Sequence, residues 1–185
     1  MTCIVAVKHR GNVFMGGDSA CSVGSSLSVL SRNSSKVFVN VPYIIGVTGT
    51  VRYGQILAYC PLPPLRDESV DLHGFMCTEF VDAVRKAIEE AGEMEHYQSS
   101  RQESMGEALV GIRGRIFALG IDFSVVERVD DFDAVGCGSE VAMGCLASTK
   151  GDPVKRIRQA LETSARYCNG VRGPFNIVTD AKRPR

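Results

Sequence analysis

The feature that most limits how this chain can fold is its opening. Thr2-Cys-Ile-Val-Ala-Val is apolar and β-branched, Arg10-Gly11-Asn12 carries turn chemistry, and Val13 to Gly17 runs back extended to Asp18. β-branched residues suit a pleated strand, and a Gly-containing turn closes two such runs into a hairpin. The hairpin brings Asp18 close to Thr2, and strand alternation sends Cys3 to the face opposite Thr2.

A lone hairpin is marginal in water, so more strands are needed. The sequence offers them at 36–41 and 43–47 around Pro42, at 108–113 and 115–119 around Gly114, and at 125–129, 132–135 and 175–178. Ser26 to Leu30 adds a short strand within the polar stretch Ser19 to Ser35.

Helical signals separate these strands. Thr50 caps a helix through Ile56, Leu57 and Tyr59 that Pro61 to Pro64 end. Leu72, Phe75, Met76, Phe80, Val84 and Ile88 recur at three and four residues with charged residues between them, which predicts a helix ending near Gly92. Glu93 to Gly106 is polar, has no period and reads as an exposed loop.

Ser139 to Ser148 has helical composition. Asp152-Pro153 opens a last helix with Val154, Ile157, Ala160, Leu161 and Ala165 on one face and Asn169-Gly170 as its C-cap. Lys182-Arg-Pro-Arg is a basic tail. Strands, helices, strands, helices and a strand predict an α+β fold of two antiparallel sheets with helices outside them, an αββα stack, in one domain of 185 residues.

Composition removes several functions. Lys plus Arg equal Asp plus Glu at 21 each, so no net field recruits nucleic acid or an anionic membrane. No apolar run approaches the roughly 20 residues of a membrane span, and Lys8-His9-Arg10 interrupts any secretory h-region, so a cytoplasmic protein is expected. The seven cysteines are odd in number, contain no CxxC pair, and read as reduced, buried small residues. His9, His73 and His96 match no ligand spacing, so neither metal nor cofactor is expected.

Threonine at position 2 suggests chemistry. A hydroxyl needs a base to become a nucleophile, and a free α-amine, with an ordinary pKa of about 7.7 to 8.0, serves on the same residue once Met1 is removed. A lysine held by an aspartate would tune that amine, and Asp18 and Lys36 fit those roles.

Here the chain resembles a known family. Thr2-Cys-Ile-Val-Ala-Val, Gly16-Gly-Asp18-Ser, Ser35-Lys36-Val37, Gly46-Val-Thr-Gly49 and Gly136-Cys137-Gly138 are similar in order and approximate spacing to the proteasome β-subunit group of N-terminal nucleophile hydrolases, above all its HslV-like branch. The resemblance implies an αββα sandwich with the nucleophile between the sheets and a threonine peptidase. In it Thr2 attacks a peptide carbonyl, Asp18 and Lys36 tune its amine, and the Gly49 amide donates to the oxyanion. It also implies a homo-oligomeric ring or ring-like stack, peptide or unfolded protein as substrate, and an ATP-dependent unfoldase as feeder.

Three departures mark this chain. Lys36 stands slightly further from Asp18 than the family spacing. Cys137 replaces the serine that contacts the threonine amine, and a thiol is the weaker partner. Asn169 is the nearest substitute for an aspartate that the family places at the end of its last helix. A second reading is therefore a catalytically inactive structural or assembly subunit.

Overall fold

The computed structural model describes residues 1–23, 25–65, 67, 70–93 and 106–180. Strand β1 (Ile4–His9) turns at Arg10 and Gly11, both at positive φ, into β2 (Asn12–Gly17), so that Ile4 pairs with Gly17 and His9 with Asn12. The hairpin β3 (Ala20–Val23) and β4 (Ser26–Val29) follows, then a 3-10 turn at Arg32–Ser34. Next come β5 (Val37–Asn40), β6 (Tyr43–Val47) and helix α1 (Val51–Tyr59), whose first turn is capped by Thr50 Oγ1 accepting from Tyr53 N at 3.1 Å.

Helix α2 comprises Leu72–Phe75, a π-turn at Met76–Phe80, and Val81–Glu90. Then follow β7 (Ala108–Ile112), β8 (Arg115–Leu119), β9 (Val125–Glu127) and β10 (Phe132–Val135). Helices α3 (Ser139–Ser148) and α4 (Pro153–Tyr167) lead to β11 (Asn176–Thr179).

Two antiparallel sheets result, ordered β10-β1-β2-β11 and β5-β6-β7-β8-β9. Alternation along the strands assigns their faces. Ile4, Ala6, Val13, Met15, Ile44 and Leu109 meet between the sheets. Cys3, Val5 and Val7 point outward under α3 and α4, against Leu146, Ile157 and Leu161. On the other side Tyr43, Ile45, Val110 and Phe117 lie under α1 and α2, against Leu57, Phe80, Val84 and Ile88. This is the four-layer αββα sandwich.

Glycine sets the distance between layers at two places. A Cβ on Gly16 would overlap the Ile157 side chain of α4, and one on Gly46 would overlap Ile4 of the facing sheet. Both therefore let backbones approach more closely than an alanine would allow.

Some expectations change. The Ser-rich stretch holds two strands where one was expected: Ser26–Val29 falls within the expected Ser26 to Leu30 strand, and Ala20–Val23 pairs with it. In α4 the buried first-turn residue is Pro153, and Val154 is 36% exposed. The helix is capped by Cys168 in extended geometry, ahead of the anticipated Asn169-Gly170. Among the cysteines only Cys3 is fully buried, while Cys77 and Cys137 are exposed. The polar segment 94–105 and the tail 181–185 lie outside the described residues. Among the described residues no helix is long and apolar enough to cross a membrane.

Candidate active site

Thr2 precedes β1 and is 4% exposed. Its hydroxyl faces Lys36, the residue before β5, across the gap between the sheets: Lys36 Nζ donates to Thr2 Oγ1 at 3.0 Å and to Asp18 Oδ1 at 2.9 Å. The ammonium makes a third bond, to Met1 O at 3.1 Å, and Thr2 Oγ1 donates to the same carbonyl at 2.6 Å.

The end of β2, paired back along β1, delivers Asp18, whose own N–H donates to Cys3 O at 3.3 Å. Its carboxylate is fully buried and fully occupied. Cys3 N donates to Oδ1 at 3.0 Å, while Ala20 N at 2.9 Å and Arg172 N at 3.4 Å donate to Oδ2. A buried charge needs several partners of this kind to offset its desolvation. The arrangement fixes Lys36 at the point where it also reaches the Thr2 oxygen.

The Thr2 nitrogen is held by the loop between β10 and α3. It donates to Cys137 Sγ at 3.3 Å, and Cys137 Sγ and Gly138 N both reach Thr2 O at 3.3 Å. Gly136 has φ +94, and a Cβ there would collide with Thr2 O, so this loop requires glycine on two grounds. Burial pushes the Cys137 thiol above its ordinary pKa, with Cys168 adding to the rise. Burial also pushes Cys3 up, to about 12, keeping it a neutral thiol.

Gly49, at φ +82, ends the segment after β6. The preceding Thr48 is locked by Glu107, whose N–H donates to Thr48 Oγ1 at 2.9 Å. Gly49 and Thr2 line one cleft of about 970 Å³, with Lys36, Cys21, Thr48 and Tyr59 also on its walls.

The structure thus brings together Thr2, Asp18, Lys36 and Cys137, with Gly49 on the same cleft. Asn169 is exposed in the turn after α4. Its neighbour Cys168 reaches the site instead, its Sγ 3.3 Å from Cys137 Sγ and 3.5 Å from Cys137 O. Sequence reasoning passed over Cys168 and also Ser164, a buried hydroxyl that donates to Gly138 O at 3.0 Å and accepts from Cys3 Sγ at 3.7 Å. One signal was present: Ser164 follows Ile157, Ala160 and Leu161 on the buried stripe of α4, where a polar residue needs a partner. Among the described residues no cluster of His, Cys, Asp and Glu could hold a metal.

No family model matches the chain, and no curated protein matches it by sequence. Solved structures do match it in shape. BPH from Thiobacillus denitrificans superposes with a TM-score of 0.75 at 18% identity, covering 96% of this chain and 97% of that one. HslV from Trypanosoma brucei gives 0.64 at 16%, covering 96% and 98%. Anbu from Hyphomicrobium sp. strain MC1, a Gly-1 mutant, gives 0.71 at 16%, covering 97% and 83%. Over nearly its whole length the chain therefore has the αββα fold of HslV and Anbu, the fold expected for the proteasome-like group of N-terminal nucleophile hydrolases.

Proposed function

We propose that this chain is a threonine peptidase of the self-compartmentalising kind, with Thr2 as nucleophile once Met1 is removed. One observation carries the reading: Lys36 Nζ lies within hydrogen-bond reach of both Thr2 Oγ1, at 3.0 Å, and the buried Asp18 carboxylate, at 2.9 Å. A threonine hydroxyl beside a fixed ammonium, on a residue that acquires a free amine by loss of one methionine, has the parts of an activated nucleophile.

In the proposed reaction the Thr2 amine accepts the hydroxyl proton as Oγ1 attacks the peptide carbonyl carbon. Lys36 stabilises the developing alkoxide, and Asp18 keeps Lys36 in place. The Gly49 N–H donates to the oxyanion, a type of contact whose loss in other enzymes costs roughly 100-fold to 1,000-fold. The amine returns the proton to the departing amine, and water then hydrolyses the ester on Thr2. Cys137 Sγ, 3.3 Å from Thr2 N, takes the amine-positioning role. The substrate is a peptide or unfolded protein lying in the cleft between the sheet edges. A homo-oligomeric ring or ring-like stack would confine it, and an ATP-dependent unfoldase would supply it.

Intact mass, hydrolysis of a small fluorogenic peptide and reaction with epoxomicin, the compound bound in a Thiobacillus denitrificans BPH structure, test this together. The wild type should lack Met1, turn over peptide and gain the inhibitor mass, while Thr2→Ala does neither of the last two. Equal turnover by both proteins would overturn the mechanism.

A second reading, a shell subunit that assembles without cutting, has its own observation. While Met1 is attached, its carbonyl takes the Thr2 hydroxyl hydrogen at 2.6 Å and a Lys36 bond at 3.1 Å, and the Thr2 nitrogen is an amide. A high-mass assembly that retains Met1 and cleaves no peptide would favour it.

A further inference from the structure

Of the sulfur pair beside the Thr2 nitrogen, Cys137 positions the amine in the reaction proposed above, while Cys168 has no part in it. Cys137 sits between two glycines at the start of the loop into α3, and Cys168 is the residue that ends α4. Their sulfurs are 3.3 Å apart, and Cys168 Sγ also touches Cys137 O. A disulfide needs about 2.0 Å between sulfurs, so rotation of two short side chains, with the backbone nearly still, suffices to close the gap.

One buried residue, Ser164, bonds to both loops, through its hydroxyl and through its backbone carbonyl. Ser164 Oγ donates to Gly138 O at 3.0 Å, and Ser164 O accepts from Cys168 N at 2.8 Å. The proximity is therefore built into the fold. Cys137 is exposed and Cys168 half-buried, so a small oxidant in solvent reaches the pair. Cys3, nearby, is fully buried and holds a hydrogen bond to Ser164, and it stays out of the exchange.

We propose that Cys137 and Cys168 form a reversible disulfide that draws the Cys137 sulfur away from the Thr2 nitrogen, making the loop a redox-controlled latch on the candidate nucleophile. The oxidant is a peroxide. One thiolate attacks the O–O bond, releasing hydroxide and becoming a sulfenic acid; the second sulfur attacks that sulfur, the S–O bond breaks, and water leaves. Two thiols lose two electrons and two protons, and hydrogen peroxide becomes two waters. A thiol reductant reverses the step by exchange.

The bond itself does not depend on what Thr2 does, but its effect on activity rests on the peptidase reading. In the reduced protein Cys137 Sγ accepts from Thr2 N and donates toward Thr2 O. In the oxidised protein the thiol hydrogen is gone and the sulfur has moved toward α4. Losing one hydrogen bond of ordinary strength at the amine predicts a fall in peptide hydrolysis of about threefold to tenfold.

The test uses full-length protein treated with hydrogen peroxide, then alkylated, digested and mapped by mass. The expected result is a Cys137–Cys168 cross-linked peptide pair that dithiothreitol removes and that is absent in Cys168→Ser, a variant that keeps a hydrogen-bonding group of similar size. Both cysteines remaining alkylatable would overturn the proposal, as would their conversion to sulfinic acids without a cross-link, or pairing of Cys137 with another cysteine. Hydrolysis is then measured on the same samples with Met1 removed. A fall in wild type that reductant restores, with Cys168→Ser unaffected by peroxide, supports the latch; a cross-link that leaves hydrolysis unchanged overturns it. A cross-link in a protein that hydrolyses no peptide even when reduced supports the disulfide and counts against the peptidase reading alone.

Discussion

The two halves of the sandwich are built on different principles. The half around β10-β1-β2-β11 and α3–α4 packs small residues, with Cys3, Ala134, Ala142 and Ala160 in its core, and it buries Thr2, Asp18 and Ser164. The half around β5–β9 and α1–α2 is filled by Tyr43, Tyr53, Phe75, Met76, Phe80 and Phe117. Small side chains let backbone amides come close enough to hold an oxygen at a fixed point, as three of them hold Asp18. Large side chains supply apolar area, the main favourable term in folding. The first half fixes Thr2 and Asp18, while the second, besides presenting Lys36 and Gly49 at its edge, supplies the bulk of the stability.

The comparison can be broken most directly by two variants with similar costs in stability. Asp18→Ala leaves Lys36 and three amides facing an empty site, and breaking a buried pair costs about 3–5 kcal/mol. It should also lower peptide hydrolysis more than about 100-fold, as loss of an electrostatic element does elsewhere. Phe80→Ala should cost about 3–5 kcal/mol in denaturant unfolding yet leave turnover per folded molecule unchanged. A Phe80→Ala protein that folds but has lost its turnover would abolish the division of labour.

Smaller effects sharpen it. Gly16→Ala pushes a methyl into Ile157 and should cost about 1–3 kcal/mol. Thr50→Ala, which removes the α1 cap behind Gly49, should cost about 1 kcal/mol in thermal or chemical unfolding. The smallest effect concerns Asp133 in β10, 2% exposed, whose carboxyl is pushed up by burial despite bonds from Ala134 N and Arg128. A carboxyl raised in the fold stabilises most below its unfolded value, near about 3.9, and that contribution is lost as pH rises through the folded value. Asp133→Asn should therefore gain melting temperature relative to wild type on going from pH 3 to pH 7. A gain that is larger at pH 3 would contradict the sign.

Much of this was legible in the residues, because much of it depends on local chemistry. The hairpin from Thr2 to Asp18 follows from β-branched runs about a Gly turn, and the period from Leu72 to Ile88 announced α2, though not its π-turn at Met76–Phe80. What escaped depends on where an element stops. Asn169-Gly170 looks like a left-handed helix end, but α4 ends at Cys168 in extended geometry, and that single residue turns a sulfur toward Cys137 and leaves Asn169 outside. Of the β3–β4 hairpin, Ser26–Val29 falls within the strand read at Ser26 to Leu30, and only its partner Ala20–Val23 escaped.

The bond between Lys36 and Asp18 joins the edge of one sheet to the end of strand β2 in the other. Thr2 and Asp18 travel with the first sheet, Lys36 and Gly49 with the second. Under the peptidase reading, a chain whose sheets have formed but not yet docked holds a threonine with no ammonium beside it. Sheet docking thus acts as an arming step: a newly made or damaged copy stays harmless to its neighbours until its own tertiary structure is complete.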